Sequence, residues 1–326
     1  MSRDTREESI ALLKKMFDTQ NEFSSLFFDR KNMTIKEKEE MTKSFSLALH
    51  SEVTDLANSI NFKDHRLVRH EIDEDKILYK SVDVFRYIIA ILNMWNFSTE
   101  DFVNSFWDKD MYLNTRHKME KRQWSGQPVL LVDMDDVLNE FRTDFNAWLF
   151  MKKGIRVDPD STEYYSTKEV KESGFLPEEV FKEFIVDRGL RKIRKQDDII
   201  QIINNLKDEG YWIQIITARP KDNLICLYDT YFWASTCGLN FDHIDFSPEK
   251  FRWLVQKDFY DADAVVCAID DSAKHSSEYA KHGIRVLSPS RSYNQELKNV
   301  SGVTMYNNPD ELYTLVKTIG EKIATE

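Results

Sequence analysis

The sequence PVLLVDMDDVLNEFR, residues 128–142, decides the fold of the second part of this chain. Its apolar residues 129–132 predict a strand that is buried on both faces. Asp133, Asp135 and Asp136 follow this strand, and in open α/β sheets ligands bind where strands pass into loops. Because buried carboxylates are costly unless a cation compensates them, the pattern favours a metal site. A solvated acidic turn is the alternative.

Length and charge limit the classes of protein that need to be considered. The chain has 326 residues, of which 41% are apolar and 31% charged, so we expect a globular protein of two domains. Its net charge of −11 and pI near 5.3 argue against a nucleic-acid partner, which would require a basic face. Small anionic substrates remain compatible with this charge if a metal and a few local cations receive them.

The cysteines and the hydropathy pattern indicate the cellular compartment. Cys226, Cys237 and Cys267 lack metal-ligand spacing, which predicts buried thiols in a reduced, intracellular protein. No apolar run reaches the roughly 20 residues that span a membrane, and the polar start MSRDTREES is not a signal peptide. The expectation is therefore a cytoplasmic protein without membrane contact.

The first third of the chain has a helical pattern. Residues 3–121 contain neither glycine nor proline, which favours long helices over a sheet. The periodicity predicts helices over about 5–28, from Thr34 onward, over 76–95 and from Ser98 to about 121, with a polar loop at 61–73. Thr34 and Glu37 have the spacing of a capping box. We predict an all-α helical bundle at 1–122, and a linker at 120–127.

Helix packing alone does not explain three carboxylates in this bundle. Glu52 and Asp55 are three residues apart, so they share one helix face. Asp83 lies in the apolar stretch ILYKSVDVFRYIIAIL and requires a partner. That partner is either a cation, Lys80 or Arg86, or a metal shared with Glu52 and Asp55.

The segments HSEVTDLAN and VDVFRYIIAI, with the tail WNFSTEDFVNSFWDKDMYLNTRHKMEKR, resemble the all-α nucleotide pyrophosphatases, the dimeric dUTPases and MazG-like enzymes. The resemblance implies a homodimer that cleaves a nucleoside triphosphate to the monophosphate and pyrophosphate. It places Mg²⁺ on Glu52, Asp55 and Asp83, but Lys80 stands where the family has a glutamate. Gln20 and Asn21 resemble the family's base-reading residues. Because of Lys80, a role in nucleotide binding or dimerisation only remains open for this domain.

Three further motifs follow in the second part of the chain. GYWIQIITARP predicts a buried strand over 212–216 that ends in Thr217, with Gly210 terminating the preceding helix. In HIDFSPEKFRW, Ser247 is the predicted N-cap and Pro248 the first helical residue. Lys250 opposes the dipole in that first turn, which indicates a nearby anion.

The last motif, DAVVCAIDDS, predicts a buried strand that ends in Asp270 and Asp271. Strands alternate with helices throughout this part of the chain, which predicts a parallel, Rossmann-like α/β sheet. The four polar strand and helix ends then lie on one edge of that sheet.

In this order, the four motifs resemble those of the haloacid dehalogenase superfamily, the phosphatases that use an aspartate nucleophile. The resemblance implies that Asp133 attacks phosphorus and that Asp135 is the general acid and base. Thr217 and Lys250 would bind the phosphoryl oxygens. Mg²⁺ would be held by Asp133, by the backbone carbonyl of Asp135, and by Asp270 or Asp271 or both. For Asp136 we favour a turn role.

The region between residues 139 and 194 is predicted to be a helical cap on this domain, which spans 127–326. Together with DMDDVL and TARP, a small cap here resembles the 5'(3')-deoxyribonucleotidases, and Arg219 is a candidate nucleotide contact. Most of its aromatic residues are expected to form the core of the cap, while one or two stack on a nucleobase; they are Phe141, Phe145, Trp148, Phe150, Tyr164, Tyr165, Phe175, Phe181 and Phe184.

These expectations combine into one hypothesis. The chain is predicted to be multidomain, an all-α bundle followed by a phosphatase domain, and to act as a Mg²⁺-dependent 5'-deoxynucleotidase on small nucleotides. The first domain would hydrolyse or bind nucleoside triphosphates and form the dimer. A polynucleotide 3'-phosphatase and a nucleotide-sensing protein remain alternatives.

Overall fold

The structure is a computed structural model, and it describes residues 3–60, 69, 71–158, 167–256 and 262–325. It divides into two compact units, Met1–Trp107 and Asp108–Glu326. We call them the helical unit and the sheet unit.

The helical unit contains α1 (Arg3–Ser25), α2 (Ile35–Asn58), α3 (Glu74–Met94) and the first half of α4 (Thr99–Glu120). The predicted capping box is present: the Thr34 hydroxyl accepts from the Glu37 N–H at 3.3 Å, and the Glu37 carboxylate accepts from the Thr34 N–H at 2.7 Å. Ser98 and Asp101 make the same exchange at α4. Most of the predicted loop at 61–73 lies outside the described residues.

The interior of the helical unit is small. α3 packs against both α1 and α2, and its fully buried residues are Ile89, Ala90, Asn93 and Met94. α2 has 24 residues and none of them is buried. An amphipathic helix draws most of its stability from the face that it buries. The described residues therefore leave much of the apolar surface of α2 uncovered.

The division between the units falls within α4 and not in the predicted linker at 120–127. The reason is that the second half of α4 contributes to the sheet unit. Met119 belongs to the core of that unit, and the Asp108 carboxylate pairs with Arg188 at 2.6 Å and with Arg191 at 2.5 Å. The guanidinium of Arg122 donates to the carbonyl of Phe241.

The sheet unit is built on six parallel strands: β1 (Val129–Val132), β2 (Trp212–Thr217), β3 (His243–Phe246), β4 (Val265–Ile269), β5 (Val286–Pro289) and β6 (Val303–Tyr306). Their order is β3-β2-β1-β4-β5-β6, with β1 at the centre. The parallel arrangement that the sequence predicted is confirmed. Because all strands run in one direction, their carboxyl ends meet on a single edge.

Both faces of the sheet are covered, as the apolar run in β1 indicated. Leu130 and Val132 pack into the cluster formed with helices α9 (Asp197–Asp208), α10 (Leu224–Thr236) and α13 (Pro309–Thr325). Val129 and Leu131 pack on the opposite face with α11 (Lys250–Gln256) and α12 (Ala273–Lys281). Successive side chains of a strand point to opposite faces, so a strand with four buried residues must be covered on both.

The helical cap is present between β1 and β2. Its helices are α5 (Phe141–Lys153), α6 (Thr167–Glu172), α7 (Pro177–Val186) and α8 (Gly189–Lys192). An isolated antiparallel bridge between Asn139 and Lys195 joins the two ends of the segment, close to its predicted bounds.

Most of the aromatic residues of the cap were predicted to form its core. Phe141, Phe145, Trp148 and Phe184 form its core, as expected. Phe150 and Phe175 are exposed and do not belong to this core, which is compatible with a prediction made for most of the set. Tyr164 and Tyr165 lie outside the described residues.

Other expectations concern single residues. Gly210 has a φ of +97° and follows α9, as a helix-terminating glycine does. α11 begins at Lys250, two residues later than predicted, because the Ser247 hydroxyl accepts from the Glu249 N–H and forms a turn first.

All three cysteines are buried and free, as predicted. Within the described residues, no helix is long and apolar enough to cross a membrane.

Candidate active site

The predicted residues at the strand ends converge on one edge of the sheet unit. Asp133 directly follows β1, Thr217 ends β2, and Asp270 follows β4. The strands β2, β1 and β4 are neighbours in the sheet. The positions of these three residues follow from parallel strands of matched register.

Lys250 is the cation of this site. It is 1% exposed, and its Nζ lies 2.7 Å from Asp133 Oδ1 and 2.7 Å from Asp270 Oδ2. Burial alone would lower the pKa of Lys250, but these two carboxylates raise it above its ordinary value. Burial raises the pKa of Asp133 to about 6, against the opposing effect of Lys250. The anion that the sequence required near this lysine is therefore a pair of aspartates.

A divalent cation fits beside Lys250. Asp133, Asp270 and Asp271 each offer a carboxylate oxygen, and these oxygens lie within 4.8 Å of one another. Asp271 Oδ2 accepts a hydrogen bond from the Tyr293 hydroxyl at 2.6 Å, while its buried Oδ1 has no hydrogen-bond partner among the described residues. Burial also raises the pKa of Asp271 well above its ordinary value. Oxygen ligands with spare lone pairs are what Mg²⁺ prefers.

Asp135, the predicted acid and base, points to a different partner. Arg219 Nε donates to its Oδ2 at 2.9 Å, and Arg219 Nη2 donates to its Oδ1 at 2.6 Å. Asn139 Nδ2 donates to Oδ1 as well, at 3.0 Å. Arg219 was predicted to contact a nucleotide, but in the structure it is 4% exposed and its guanidinium holds Asp135. The Asp135 side chain is not part of the metal-binding group; its predicted ligand atom was the backbone carbonyl.

Asp136 is the turn residue that the sequence indicated, with a φ of +57°. It is nevertheless buried, and its Oδ1 accepts from the Arg142 N–H at 3.0 Å. Burial raises the pKa of Asp136 to about 7. A solvated turn, the alternative reading of this stretch, is thus excluded, and Asp136 adds a carboxyl beside the metal-binding group.

Thr217 is fully buried at the end of β2, and its hydroxyl accepts from the Arg219 N–H at 3.3 Å. Above the carboxylates lies a cavity of about 510 Å³. Among the described residues, Ala218 and Arg219 line this cavity and Thr217 does not. We call it the sheet-unit cavity.

The cap contributes the upper wall of the sheet-unit cavity. Phe141 and Phe181 line it, with ring centroids 6.2 Å apart in an edge-to-face arrangement. Asp133, Asp135 and Lys250 line its base. A volume of this size suits a small organic ligand, and the two rings give it an apolar wall.

The helical unit also brings its candidate residues together, but around a lysine. Lys80 Nζ lies 3.1 Å from Glu52 Oε2, 3.1 Å from Asp55 Oδ2 and 3.6 Å from Asp83 Oδ2. Hydrogen bonds to Asp55 and Glu52 raise the pKa of Lys80 above its ordinary value. Of the two partners considered for Asp83, the structure provides the cation.

The predicted metal site of the helical unit therefore does not fit a divalent ion. Within the described part of the chain, Asp133, Asp270 and Asp271 are the acidic group close enough to hold a metal; Glu52, Asp55 and Asp83 do not form such a group. The ammonium of Lys80 lies where a metal would contact all three carboxylates. Repulsion from this charge opposes a second cation.

A second cavity, of about 520 Å³, lies between α1, α2 and α3. We call it the helical-unit cavity. Gln20 is buried in its wall, and Gln20 Oε1 accepts from Arg86 Nε at 2.8 Å. Phe23, Phe45 and Tyr87 add aromatic surface. Asn21, the other predicted base-reading residue, is not among the described residues that line this cavity.

Sequence reasoning missed the residues that hold the site in place. Tyr293 and Asn139 each bind a predicted site carboxylate, and both are buried. Tyr293 lies after β5, in a segment with no recognisable motif. Asn139 offered a weak signal, since it is a polar residue within the apolar and acidic run after β1.

No protein-family model and no curated protein matches this sequence. Solved structures with partial likeness include a predicted phosphatase from Clostridium acetobutylicum (17% identity, TM-score 0.43, covering 60% of this chain and 100% of that one). A haloacid dehalogenase-like hydrolase from Streptococcus pneumoniae has 14% identity and a TM-score of 0.39, covering 59% of this chain and 99% of that one. D,D-heptose 1,7-bisphosphate phosphatase from B. bronchiseptica, complexed with magnesium and phosphate, has 11% identity, a TM-score of 0.34 and the same coverage. These values describe a partial likeness of chain path, and the function proposed below rests on this chain's own residues.

Proposed function

We propose that the sheet unit is a Mg²⁺-dependent phosphomonoester hydrolase and that its substrates are deoxynucleoside monophosphates. The observation that carries this proposal is the convergence of Asp133, Lys250 and the Asp270–Asp271 pair beneath a cavity with an aromatic wall. A nucleophile, a buried cation and a metal-binding group in one place are what phosphate transfer requires.

Each residue has a role that suits its surroundings. Asp133 attacks phosphorus and forms an aspartyl-phosphate, with Lys250 2.7 Å away to offset the charge of the transferred group. Asp135 gives a proton to the leaving alkoxide and then takes one from the water that hydrolyses the intermediate. Phosphate monoesters are so unreactive that these groups together must lower the barrier by about 20 kcal/mol or more.

The metal would be held by Asp133, Asp270 and Asp271, with the Tyr293 hydroxyl fixing one oxygen of Asp271. A bound Mg²⁺ would neutralise charge on the phosphoryl oxygens. Thr217 is proposed to contact the phosphoryl group, which from its buried position requires the Ala218–Arg219 backbone to adjust.

The aromatic wall favours a nucleoside leaving group. Phe141 and Phe181 face the sheet-unit cavity, and its volume of about 510 Å³ lies in the range of small-ligand sites. A nucleobase gains stacking energy against such rings. Sugar phosphates would leave this wall without a partner.

Phosphate release from the four deoxynucleoside monophosphates, with Mg²⁺ and with EDTA, tests this proposal. The expected result is metal-dependent release that stops in Asp133→Asn. Turnover of another phosphomonoester, with the nucleotides untouched, would retain the phosphatase and reject the nucleotidase. A 3'-phosphorylated oligonucleotide in the same panel tests the alternative of a polynucleotide 3'-phosphatase.

For the helical unit we propose nucleotide binding, with hydrolysis of nucleoside triphosphates as the stronger form of the same hypothesis. The helical-unit cavity supports binding, since aromatic rings and the Gln20–Arg86 pair line a volume of about 520 Å³. Lys80 weighs against hydrolysis because it occupies the carboxylates. Pyrophosphate release from a deoxynucleoside triphosphate that is lost in Glu52→Gln would establish the stronger form; its absence would leave binding or sensing.

We also propose that the helical unit forms a homodimer. The support is its uncovered apolar surface: none of the 24 residues of α2 is buried, and Ile35, Leu47, Leu78 and Tyr79 are each more than 60% exposed. Each Å² of apolar surface that is buried contributes about 25 cal/mol, so covering this surface strongly favours association of two chains. Light scattering should give twice 38.6 kDa for the wild type, and a monomer for Leu47→Glu. Met151→Glu, on the cap, is the matched control.

A further inference from the structure

Arg219 and Asp135 form an ion pair that the proposed reaction, by itself, does not explain. Two nitrogens of one guanidinium, Nε and Nη2, bind the two oxygens of the carboxylate at 2.9 and 2.6 Å. Both side chains lie at the base of the sheet-unit cavity. A paired fork of this kind fixes the orientation of a carboxylate as well as its position.

Arg219 has a second contact on the side away from Asp135. Its Nη1 donates to the Thr230 hydroxyl at 3.0 Å, and that hydroxyl donates to the carbonyl of Cys226 at 2.7 Å. Thr230 is fully buried within α10. The guanidinium is therefore anchored to a helix at one end and to Asp135 at the other.

From this arrangement we propose that Arg219 is a positioning residue that acts through Asp135, and that it does not bind the phosphoryl group of the substrate. The inference rests on the proposed phosphatase function, in which Asp135 exchanges protons. Three hydrogen bonds, two from Arg219 and one from Asn139, set the direction of the carboxyl group. A misplacement of about 1 Å in a reacting group can slow a reaction by roughly 100-fold.

The chemistry of the first step explains why an arginine belongs here. Asp133 forms a bond to phosphorus, the bond from phosphorus to the leaving oxygen breaks, and its electron pair goes to that oxygen. The proton of Asp135 moves to the same oxygen, which leaves Asp135 as a carboxylate. Arg219 pairs with this newly formed charge. In the second step the water oxygen bonds to phosphorus as one of its protons passes to the Asp135 carboxylate. The bond between phosphorus and the Asp133 oxygen breaks, its electron pair stays on Asp133, and inorganic phosphate is released.

This role has a kinetic signature that binding of phosphate would not have. A nucleoside alkoxide is a poor leaving group and requires the proton from Asp135, whereas p-nitrophenolate leaves readily without it. Proton transfer by a positioned acid contributes roughly 10²–10⁴-fold. Loss of Arg219 should therefore affect the two kinds of substrate very differently.

The experiment compares kcat/KM, which reports the steps up to formation of the aspartyl-phosphate, for a deoxynucleoside monophosphate and for p-nitrophenyl phosphate, with Mg²⁺ and the full chain. In Arg219→Met we expect a loss of about 100-fold on the nucleotide and of less than about threefold on p-nitrophenyl phosphate. Turnover of p-nitrophenyl phosphate also shows that the variant is folded. Arg252→Met, which removes an exposed arginine paired with Glu249 at 3.0 Å, is the matched control and should change neither rate.

Two further variants test whether Arg219 acts through Asp135. Thr230→Val keeps the ion pair but removes the anchor behind it, and loss of one hydrogen bond predicts a decrease of about fivefold on the nucleotide alone. Asp135→Asn combined with Arg219→Met should be no slower than Asp135→Asn by itself, because residues that act as a unit are not additive.

Equal losses of kcat/KM on both substrates, or weaker inhibition by inorganic phosphate in Arg219→Met, would overturn the inference and assign Arg219 to phosphate binding. Additive losses in the double variant would overturn it as well. If the proposed phosphatase function is itself wrong, the outcome differs: the wild type hydrolyses neither substrate, or Asp133→Asn retains its activity.

Discussion

Each unit of this protein has a cluster of three carboxylates and one lysine, and the two clusters differ in how many of the carboxylates the lysine contacts. In the helical unit, Lys80 lies within 3.6 Å of all three carboxylates. In the sheet unit, Lys250 contacts Asp133 and Asp270 at 2.7 Å, and Asp271 Oδ1 has no partner in the part of the chain that the structure describes. In this protein, an acidic cluster is thus a candidate metal site only where the neighbouring lysine does not already contact every carboxylate.

Burial separates the two clusters further. Lys250 and its partners are almost completely buried, whereas the Asp55 side chain is 52% exposed and that of Asp83 is 45% exposed. Exposed ion pairs contribute little to stability because water screens them. Buried carboxylates repel one another strongly, and this repulsion is what a bound cation would relieve. The same residue types therefore have different consequences in the two places.

The largest effect is expected from Asp133→Asn. Removal of the proposed nucleophile should lower phosphate release by about 10⁴-fold or more. The fold should persist, since asparagine has the same shape and removes one of the repelling charges. Phosphate release and thermal unfolding, measured on the same sample, check both statements. A variant that is stable and active would contradict the mechanism.

The two lysines provide a direct test of the comparison. Lys250→Met leaves two buried carboxylates without their cation, so we expect a loss of about 3–5 kcal/mol in the free energy of unfolding. Lys80→Met removes a partly exposed pair that water screens, and should destabilise the protein much less than Lys250→Met.

Chemical denaturation in EDTA measures both values. Equal losses would mean that the burial of the sheet-unit cluster has no energetic consequence.

The pH dependence of stability is the next effect in size. In the folded protein burial raises the pKa of Asp133 to about 6 and of Asp136 to about 7, from 3.8. The folded state then binds more protons than the unfolded chain between about pH 4 and 7, so stability falls as pH rises through this range. Mg²⁺ should oppose the fall, because it favours the charged carboxylates.

Melting temperatures at pH 5 and pH 8, in EDTA and in Mg²⁺, check this prediction. Asp133→Asn is the control and should show a smaller decrease between the two pH values. A melting temperature that rises with pH in EDTA would have the wrong sign.

The smallest expected effect is a change in the number of bound metal ions in Lys80→Glu. This variant is also the most direct test of the helical unit. Removing the ammonium and adding a carboxylate should allow a second cation to bind. Paramagnetic resonance of Mn²⁺ should then count two bound ions per chain, against one in the wild type. Lys76→Glu makes the same change of charge one turn earlier on α3, at an exposed position, and should leave the count at one. A wild type that already binds two ions would contradict the role assigned to Lys80.

Sequence reasoning went furthest where a local pattern and a chemical requirement coincide. Asp133, Asp270 and Asp271 were found because each follows an apolar run at the end of a strand, and parallel strands bring such ends together. Lys250 was found because a lysine in that position needs an anion. The start of α11 was misplaced by two residues, since Ser247 and Pro248 are equally suited to a turn.

Partners that are distant along the chain could not be predicted. Arg219, in the TARP motif, was a candidate nucleotide contact, and the structure shows that 84 positions separate it from the carboxylate that it binds. Nothing local marks Tyr293 as the partner of Asp271. For Asp83 the sequence left a cation and a metal equally open as the partner, because spacing on two helices does not fix the distance between them.

The sequence by itself determined the elements and the edge on which the site is built. Apolar periodicity fixes which segments are strands or helices, and strand direction fixes where their ends meet. The tertiary structure alone decided which charges are paired: Lys80 with three carboxylates, Arg219 with Asp135, and Asp271 with an oxygen still available. The physical reason is that pairing depends on distances of a few ångströms between side chains from different elements, and these distances are set by packing.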